Sequence, residues 1–379
     1  MTSGTTAPPA ARAGYDAIPL YAPATGGEAE APCVTDASDT INLWGAPPDA
    51  VAALGAAATA AMLSTYPALY NNALKAPLAG YAGVDADTLM TGCGSDDVID
   101  CALRAFAEPG GVVAHAAPTF SMVPAYARAN GMTPVGVPLA RDDYAADADA
   151  LLATDAAVIY LCSPNNPTST PLARALVERV VAGARGLVIL DEAYAEYVMA
   201  DPRATVEVFT SEAPAWGRVL ATRTLSKAFG LAGLRVGYGV GHPDVVRAVE
   251  KARGPFKVTF PAEAAVRAAL GAGDGALGWV RAHARLAVAE RDAFVAGLCA
   301  LGLAPAPAAA HFVFVPVPDA RAVAARLRAR HGVGVRVFDG LPTTVPTLAA
   351  SGGAALRLNV GPREVQRRVL DALAAEIAR

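Results

Sequence analysis

AAVIYLCSPNNPTSTPLARALVERVVAGARGLVILDEAYAEY, residues 156–197, decides the fold. Its apolar runs AAVIYL and GLVIL do not alternate with polar residues, so each reads as a strand covered on both faces. Between them LARALVERVVAGA repeats apolar residues at helical spacing. Two buried strands joined by a helix make a parallel unit, because parallel strands need a crossover of that length. The pattern extends outward from there. TLM precedes the helical GCGSDDVIDCALRAF, GVVAH precedes TFSMVPAYARAN, and RVLATRT leads through a loop to VGYGV. The prediction is an α/β fold with a mostly parallel central sheet flanked by helices. In such sheets ligands sit beyond the carboxyl ends of the strands.

Lysine, glycine and proline interrupt the pattern in KARGPFKVTFP (251–261). Beyond it the sequence predicts one helical stretch over about 262–300. HFVFVPV, the helix ARAVAARLRARHG, VGVRVF, ALRLNVG and the closing helix REVQRRVLDALAAEIA follow. These form a smaller α+β unit. The expected organisation is a leader and arm at 1–40, a large domain at 41–254 and a small C-terminal domain at 255–379.

Composition excludes several classes. The 379 residues are 54% hydrophobic and 17% charged, enough for a large buried core, and the net charge is −4. No run of lysine or arginine forms a phosphate-backbone footprint, so nucleic acid is not an expected partner. No stretch approaches the roughly 20 uninterrupted apolar residues of a membrane span, and MTSGTTAPPAARAG lacks an apolar signal core and reads as a disordered leader. Five scattered cysteines without C-x-x-C spacing argue against a disulfide framework or a zinc site, and fit a reducing cytoplasm.

The chemistry gathers where strands end. In TGCGSDDVID, Gly94 and Ser95 stand ahead of a helix whose exposed N–H groups can hold a phosphate; the plain alternative is a turn capped by Ser95 or Asp96. Asn166 and Pro167 end a strand in CSPNNPT, as donor or as a simple turn. Asp191 ends another, followed by Tyr194. A buried carboxylate needs a cationic partner, which is either an arginine or a ligand's heteroaromatic N–H. TLSKAFGLAGLRVGY (224–238) places Ser226 and Lys227 at a third strand end, with Arg235 eight residues on. Only four lysines occur, Lys75, Lys227, Lys251 and Lys257. One standing here is either a surface charge or a desolvated amine that adds to carbonyls. Amine, carboxylate, hydroxyls and arginine around a phosphate cup are what pyridoxal 5′-phosphate requires.

With SPNNPT, DEAY and TLSKAFGLAGLRVGY together, the chain resembles the fold-type I pyridoxal-phosphate aminotransferases of class I/II, and within them the histidinol-phosphate aminotransferases. The resemblance runs from about Ile18 onward. It implies that Lys227 condenses with the cofactor aldehyde, that Asp191 pairs with the pyridine nitrogen, and that Asn166 and Tyr194 reach the ring oxygen. It puts Gly94, Ser95, Ser226 and Arg235 around the phosphate and Phe120, of PTFSM, on the ring face. Tyr66, of STYPALY, would reach the phosphate of a second subunit, which implies a homodimer with shared sites. Arg357 in ALRLNVG would clamp a substrate carboxylate, Arg336 in VGVRVF a substrate phosphate, and Tyr21 in IPLYAP would help close the pocket.

The implied reaction is transamination of histidinol phosphate with 2-oxoglutarate, giving imidazole acetol phosphate and glutamate, a step of histidine biosynthesis. An aromatic amino acid as substrate, and lyase chemistry like that of threonine-phosphate decarboxylases, are the alternatives. The chain departs from the family where Asn-Glu-Asn-Pro is usual: it has INLWGAPPDA, with Trp44 and Gly45 at what would be the substrate mouth. Ser169 replaces the glycine usual after Asn-Pro-Thr.

Overall fold

The computed structural model describes residues 12, 15, 18–20, 33–139, 143–271 and 275–377. Tyr21 and nearly all of the predicted leader lie outside the described residues. A short strand β1 (Thr35–Asp36) is followed by helices α1 (Pro48–Ala57), α2 (Ala60–Leu63) and α3 (Asn72–Ala82). Strands and helices then alternate through β2 (Leu89–Cys93), α4 (Gly94–Phe106), β3 (Val112–Ala117), α5 (Met122–Ala129), β4 (Thr133–Pro138) and α6 (Ala148–Ala153). The series continues with β5 (Val158–Cys162), α7 (Arg174–Gly183), β6 (Leu187–Asp191), α8 (Ala195–Ala200), β7 (Val219–Thr224), β8 (Val236–Gly241) and α9 (Pro243–Ala252).

These strands form one sheet in the order β2-β8-β7-β6-β5-β3-β4. The pairings from β4 across to β7 are parallel; β8 runs antiparallel to both β7 and β2. Alternate residues supply the two faces. Val158, Tyr160, Leu187 and Ile189 pack with Val98, Ile99 and Leu103 of α4 on one side. Ile159, Leu161, Val188 and Leu190 pack with Val177 and Val180 of α7 on the other. Each such fully buried aliphatic side chain contributes about 2 kcal/mol of transfer free energy, so both faces drive the layered fold.

The C-terminal part contains α10 (Phe260–Ala269), α11 (Ala276–Ala300), β9 (Phe312–Pro316), α12 (Ala320–His331), β10 (Val333–Gly334), β11 (Arg336–Phe338), α13 (Pro346–Ala350), β12 (Ala355–Asn359) and α14 (Arg363–Ile377). Two expectations change here. The helical stretch expected over 262–300 is two helices, α10 and α11, because Gly271 and Gly275, just past the end of one and ahead of the other, favour a break over a continued helix. VGVRVF is not one strand: β10 pairs with β1, while β11 joins an antiparallel sheet in the order β11-β12-β9. No helix among the described residues is long and apolar enough to cross a membrane.

Candidate active site

Register sets the site. Cys162, Asp191 and Thr222 lie level across β5, β6 and β7; β5 and β6 end at that height and β7 runs two residues further, to Thr224. Cys162, Asp191 and Thr224 border a cavity of about 410 Å³, which Ser95, Phe120, Asn166, Tyr194, Ser226, Lys227, Arg235 and Arg357 also line.

Asp191 is buried. Its Oδ2 accepts from the Tyr160 hydroxyl at 2.6 Å, its Oδ1 from the Thr222 hydroxyl at 3.1 Å and from the Ala193 N–H at 3.2 Å. No cationic side chain forms an ion pair with it among the described residues. Burial therefore dominates and pushes its pKa up to about 6, with the hydrogen bonds from Tyr160 and Thr222 opposing. The arginine alternative for its partner is not what the fold provides.

Lys227 follows β7. Its Nζ donates to Thr40 Oγ1 at 2.9 Å and lies 5.7 Å from the centre of the Tyr194 ring. Burial first, and the Arg357 guanidinium second, push its ammonium down to about 8. An amine so placed is close to its nucleophilic, neutral form. The Tyr194 hydroxyl lies 3.4 Å from the same Thr40 oxygen, and burial raises its pKa.

The wall beside α4 suits an anion. Gly94 has φ +81°, and a Cβ there would lie 2.7 Å from Arg235 Nη2, so the glycine leaves room for the guanidinium. Arg235 itself takes the left-handed conformation, φ 55°, which turns its side chain back: Nη1 donates to Ser226 Oγ at 3.4 Å and Nη2 to Asp96 Oδ2 at 3.4 Å. Ser95 occupies the first turn of α4, where free N–H groups gather. Neither Ser95 nor Asp96 is the helix cap; Asp97 Oδ2 instead accepts the Cys93 N–H at 3.0 Å. The small-residue cradle, the hydroxyls, the guanidinium and the carboxylate without a cation fit pyridoxal phosphate.

Arg357 on β12 reaches in from the small sheet. Its Nη1 donates to Asn166 Oδ1 at 2.6 Å and its Nη2 to the Ser38 carbonyl at 2.8 Å. Asn166 thus commits its side-chain oxygen and keeps an NH₂ to donate. Arg336 is half-buried directly opposite Arg357 in the β11–β12 register, and does not itself border the cavity. Tyr66 does not border it either; it is 78% exposed and stacks on Phe256 with ring centres 4.8 Å apart. The departing segment is anchored on the Lys227 loop, where Asn42 Nδ2 donates to the Ala228 carbonyl at 3.0 Å.

Reasoning from the sequence missed Thr40, Tyr160, Thr222, Asp39 and Tyr126. Tyr160 carried a signal, since a hydroxyl inside an aliphatic strand must find a partner. Thr222 lies one residue from a charge in RVLATRT and carried a weaker one. Thr40, Asp39 and Tyr126 arrive only by chain packing.

The sequence model of the family "Aminotransferase class I and II" matches residues 37–373. The histidinol-phosphate aminotransferase of Erythrobacter litoralis (strain HTCC2594) is 41% identical over 258 residues, covering 67% of this chain and 68% of that protein. The aromatic amino acid aminotransferase of Rhodococcus jostii (strain RHA1) is 38% identical over 299 residues, 78% of this chain and 79% of that one. Among solved structures, histidinol-phosphate aminotransferase from Sinorhizobium meliloti in complex with pyridoxal-5′-phosphate superposes with a TM-score of 0.80 at 26% identity, covering 92% of each chain. With strand-end lysine, asparagine and aspartate around one cavity, and a family match spanning nearly the whole described fold, the chain belongs to the class I and II aminotransferases.

Proposed function

We propose that this chain is a pyridoxal-phosphate aminotransferase that takes the amino group of histidinol phosphate and passes it to 2-oxoglutarate. The observation that carries the cofactor reading is the pair of buried groups facing one cavity, the Lys227 amine lowered to about 8 and the Asp191 carboxylate raised to about 6. The substrate reading is supported by the relatives that bear that name, at 41% and 39% identity.

When bound, the cofactor supplies an electrophilic aldehyde carbon and a ring that accepts electrons. Asp191 holds the ring N–H⁺, a charge its own buried position otherwise lacks. Ser95, Ser226, Arg235 and the first N–H groups of α4 hold the phosphate, with Gly94 giving room. Phe120 covers the ring face, and Asn166 and Tyr194 donate toward the ring oxygen. With the group in place, the Lys227 amine would take the proton from the substrate Cα and hold it for return. Arg357 offers a planar fork to the carboxylate of glutamate or 2-oxoglutarate, and neighbouring Arg336 serves the phosphate of histidinol phosphate. Tyr66, beside the exposed Phe256, is assigned to the site of a second subunit in a homodimer. A cytoplasmic location is in keeping with the five free cysteines.

An aromatic amino acid as donor is the second reading, favoured by the longer match to the Rhodococcus jostii protein. One experiment separates them. Holoenzyme is mixed with histidinol phosphate, phenylalanine, phosphothreonine or glutamate in turn, and loss of the cofactor's visible band is followed. Rapid loss with histidinol phosphate and glutamate is expected, and Arg336→Ala should cut kcat/KM for histidinol phosphate about a hundredfold while leaving phenylalanine within a few-fold. Loss with phenylalanine and not histidinol phosphate would overturn the donor, and release of carbon dioxide from phosphothreonine would overturn transamination.

A further inference from the structure

The molecule holds a second cavity, of about 630 Å³, on the other side of the sheet from the cofactor site. β7 separates the two by simple alternation. Thr222 and Thr224 turn toward the first cavity, where Thr222 bonds Asp191 and Thr224 forms part of the wall, while Arg223 between them lines the second. α8 divides in the same way: Tyr194, just ahead of it, lines the first cavity, and Glu196 and Met199 line the second.

The floor of this second cavity is a buried ion pair. Arg223 Nη2 is bonded to Glu196 Oε1, and the two residues are 3% and 6% exposed. Tyr81 donates to the same carboxylate oxygen at 3.1 Å, and Arg223 Nη1 donates to Thr210 Oγ1 at 3.1 Å. Glu196 Oε2 and Arg223 Nε have no hydrogen-bond partner among the described residues, so the floor carries polar valence that the fold does not use. With the pair internally neutral, the remaining charge comes from the rim. Arg281 and Arg285 lie one turn apart on α11, both exposed and neither in an ion pair among the described residues. Leu270, Leu277, Val280 and Met199 make the walls between rim and floor. A volume of this order is ordinary for small-molecule sites.

We propose that this cavity binds a small amphipathic anion, its carboxylate or phosphate head on Arg281 and Arg285 and its apolar body against Leu277, Leu270 and Met199. Two cations without ion-pair partners among the described residues, at the mouth of a cavity with apolar walls, select a single anionic head joined to an apolar body. The floor ties the bound molecule to the cofactor site. Thr210 also bonds Glu192, the neighbour of Asp191, and Arg223 lies four residues before Lys227 on the same chain segment. The site is independent of which amino donor the enzyme uses.

The test is calorimetric titration of holoenzyme with hydrocinnamate and, separately, with phenyl phosphate. Binding of at least one probe is expected in wild type and in Arg357→Ala, which lacks the carboxylate fork of the cofactor site. Charge reversal in the double variant Arg281→Glu, Arg285→Glu should weaken that binding about tenfold or more while turnover without probe stays as in wild type. Leu277→Trp, which fills the cavity from its apolar wall, should weaken it as well. Binding of hydrocinnamate alone identifies a carboxylate site, of phenyl phosphate alone a phosphate site, and of both a general anion site. No binding of either probe at millimolar concentration overturns the proposal. So does binding that disappears in Arg357→Ala yet survives both the charge reversal and Leu277→Trp.

Discussion

At the scale of the residue, burial governs both reactive groups with opposite sign. Asp191 has a native pKa near 6 against 3.8 for an ordinary aspartate, so the folded, cofactor-free chain binds more protons than the unfolded one between those values. Stability contributed by this group is therefore present at low pH and lost as pH rises through about 6. Asp191→Asn should raise the Tm of the cofactor-free protein at pH 7 and leave it nearly unchanged at pH 4, while turnover falls about a thousandfold. Thermal melts at the two pH values check the first half, and an unchanged Tm at neutral pH would refute it.

Lys227 moves the other way. Its neutral fraction rises as pH passes about 8, where an ordinary lysine waits until 10.5. The rate at which the cofactor-free protein combines with added pyridoxal phosphate should climb through pH 8 and level off above it. Because Arg357 is the second cause of the depression, Arg357→Ala should shift that midpoint upward. A midpoint that stays put would remove the guanidinium from the account.

At the scale of the element, the start of α4 is stitched to β8. Gly94 bridges to Val236, and a Cβ on Gly237 would lie 2.2 Å from the Ser95 nitrogen, so strand and helix start touch through bare backbone. Arg235, just before β8, is held over the same turn. Gly94→Ala adds a methyl at positive φ against the guanidinium, and should weaken cofactor affinity about tenfold with little change in the melting of the cofactor-free chain. Equilibrium dialysis against pyridoxal phosphate measures the first, and undiminished affinity would show that Arg235 moves without cost.

Most elements of this kind were legible because buried parallel strands spell themselves as unbroken apolar runs, as Val158–Cys162 and Leu187–Asp191 do. β4 was not, since TPVGVP contains two prolines and a glycine. It survives as a strand because it is the sheet's edge, where a missing N–H faces no partner. The split of VGVRVF into β10 and β11 was hidden for a different reason: its halves pair with β1 and β12, and composition does not record a change of partner. The site divides along the same line. Lys227, Asp191 and Asn166 announce themselves by standing at strand ends, whereas Thr40 reaches Lys227 across 187 residues of sequence.

At the scale of the whole molecule, one chain does not use all of its aromatic surface. Tyr66 at 78% exposure, Phe256 at 41% and Leu63 at 71% are large apolar side chains left to solvent. In the proposed homodimer a partner would cover them, and Tyr66 would complete the neighbouring phosphate cup. Light scattering at micromolar concentration should give twice the chain mass, and Tyr66→Ala should reduce cofactor affinity more than it reduces chain stability. A fully active monomer would end that assignment.

The order of the large sheet also bears on how the protein folds. β2 has a single partner, β8, with Leu89 opposite Val240 and Cys93 opposite Val236. Because β8 follows β3 to β7 in the chain, β2 is the strand whose pairing closes the largest loop of sequence in this sheet, and it is expected to join late in folding.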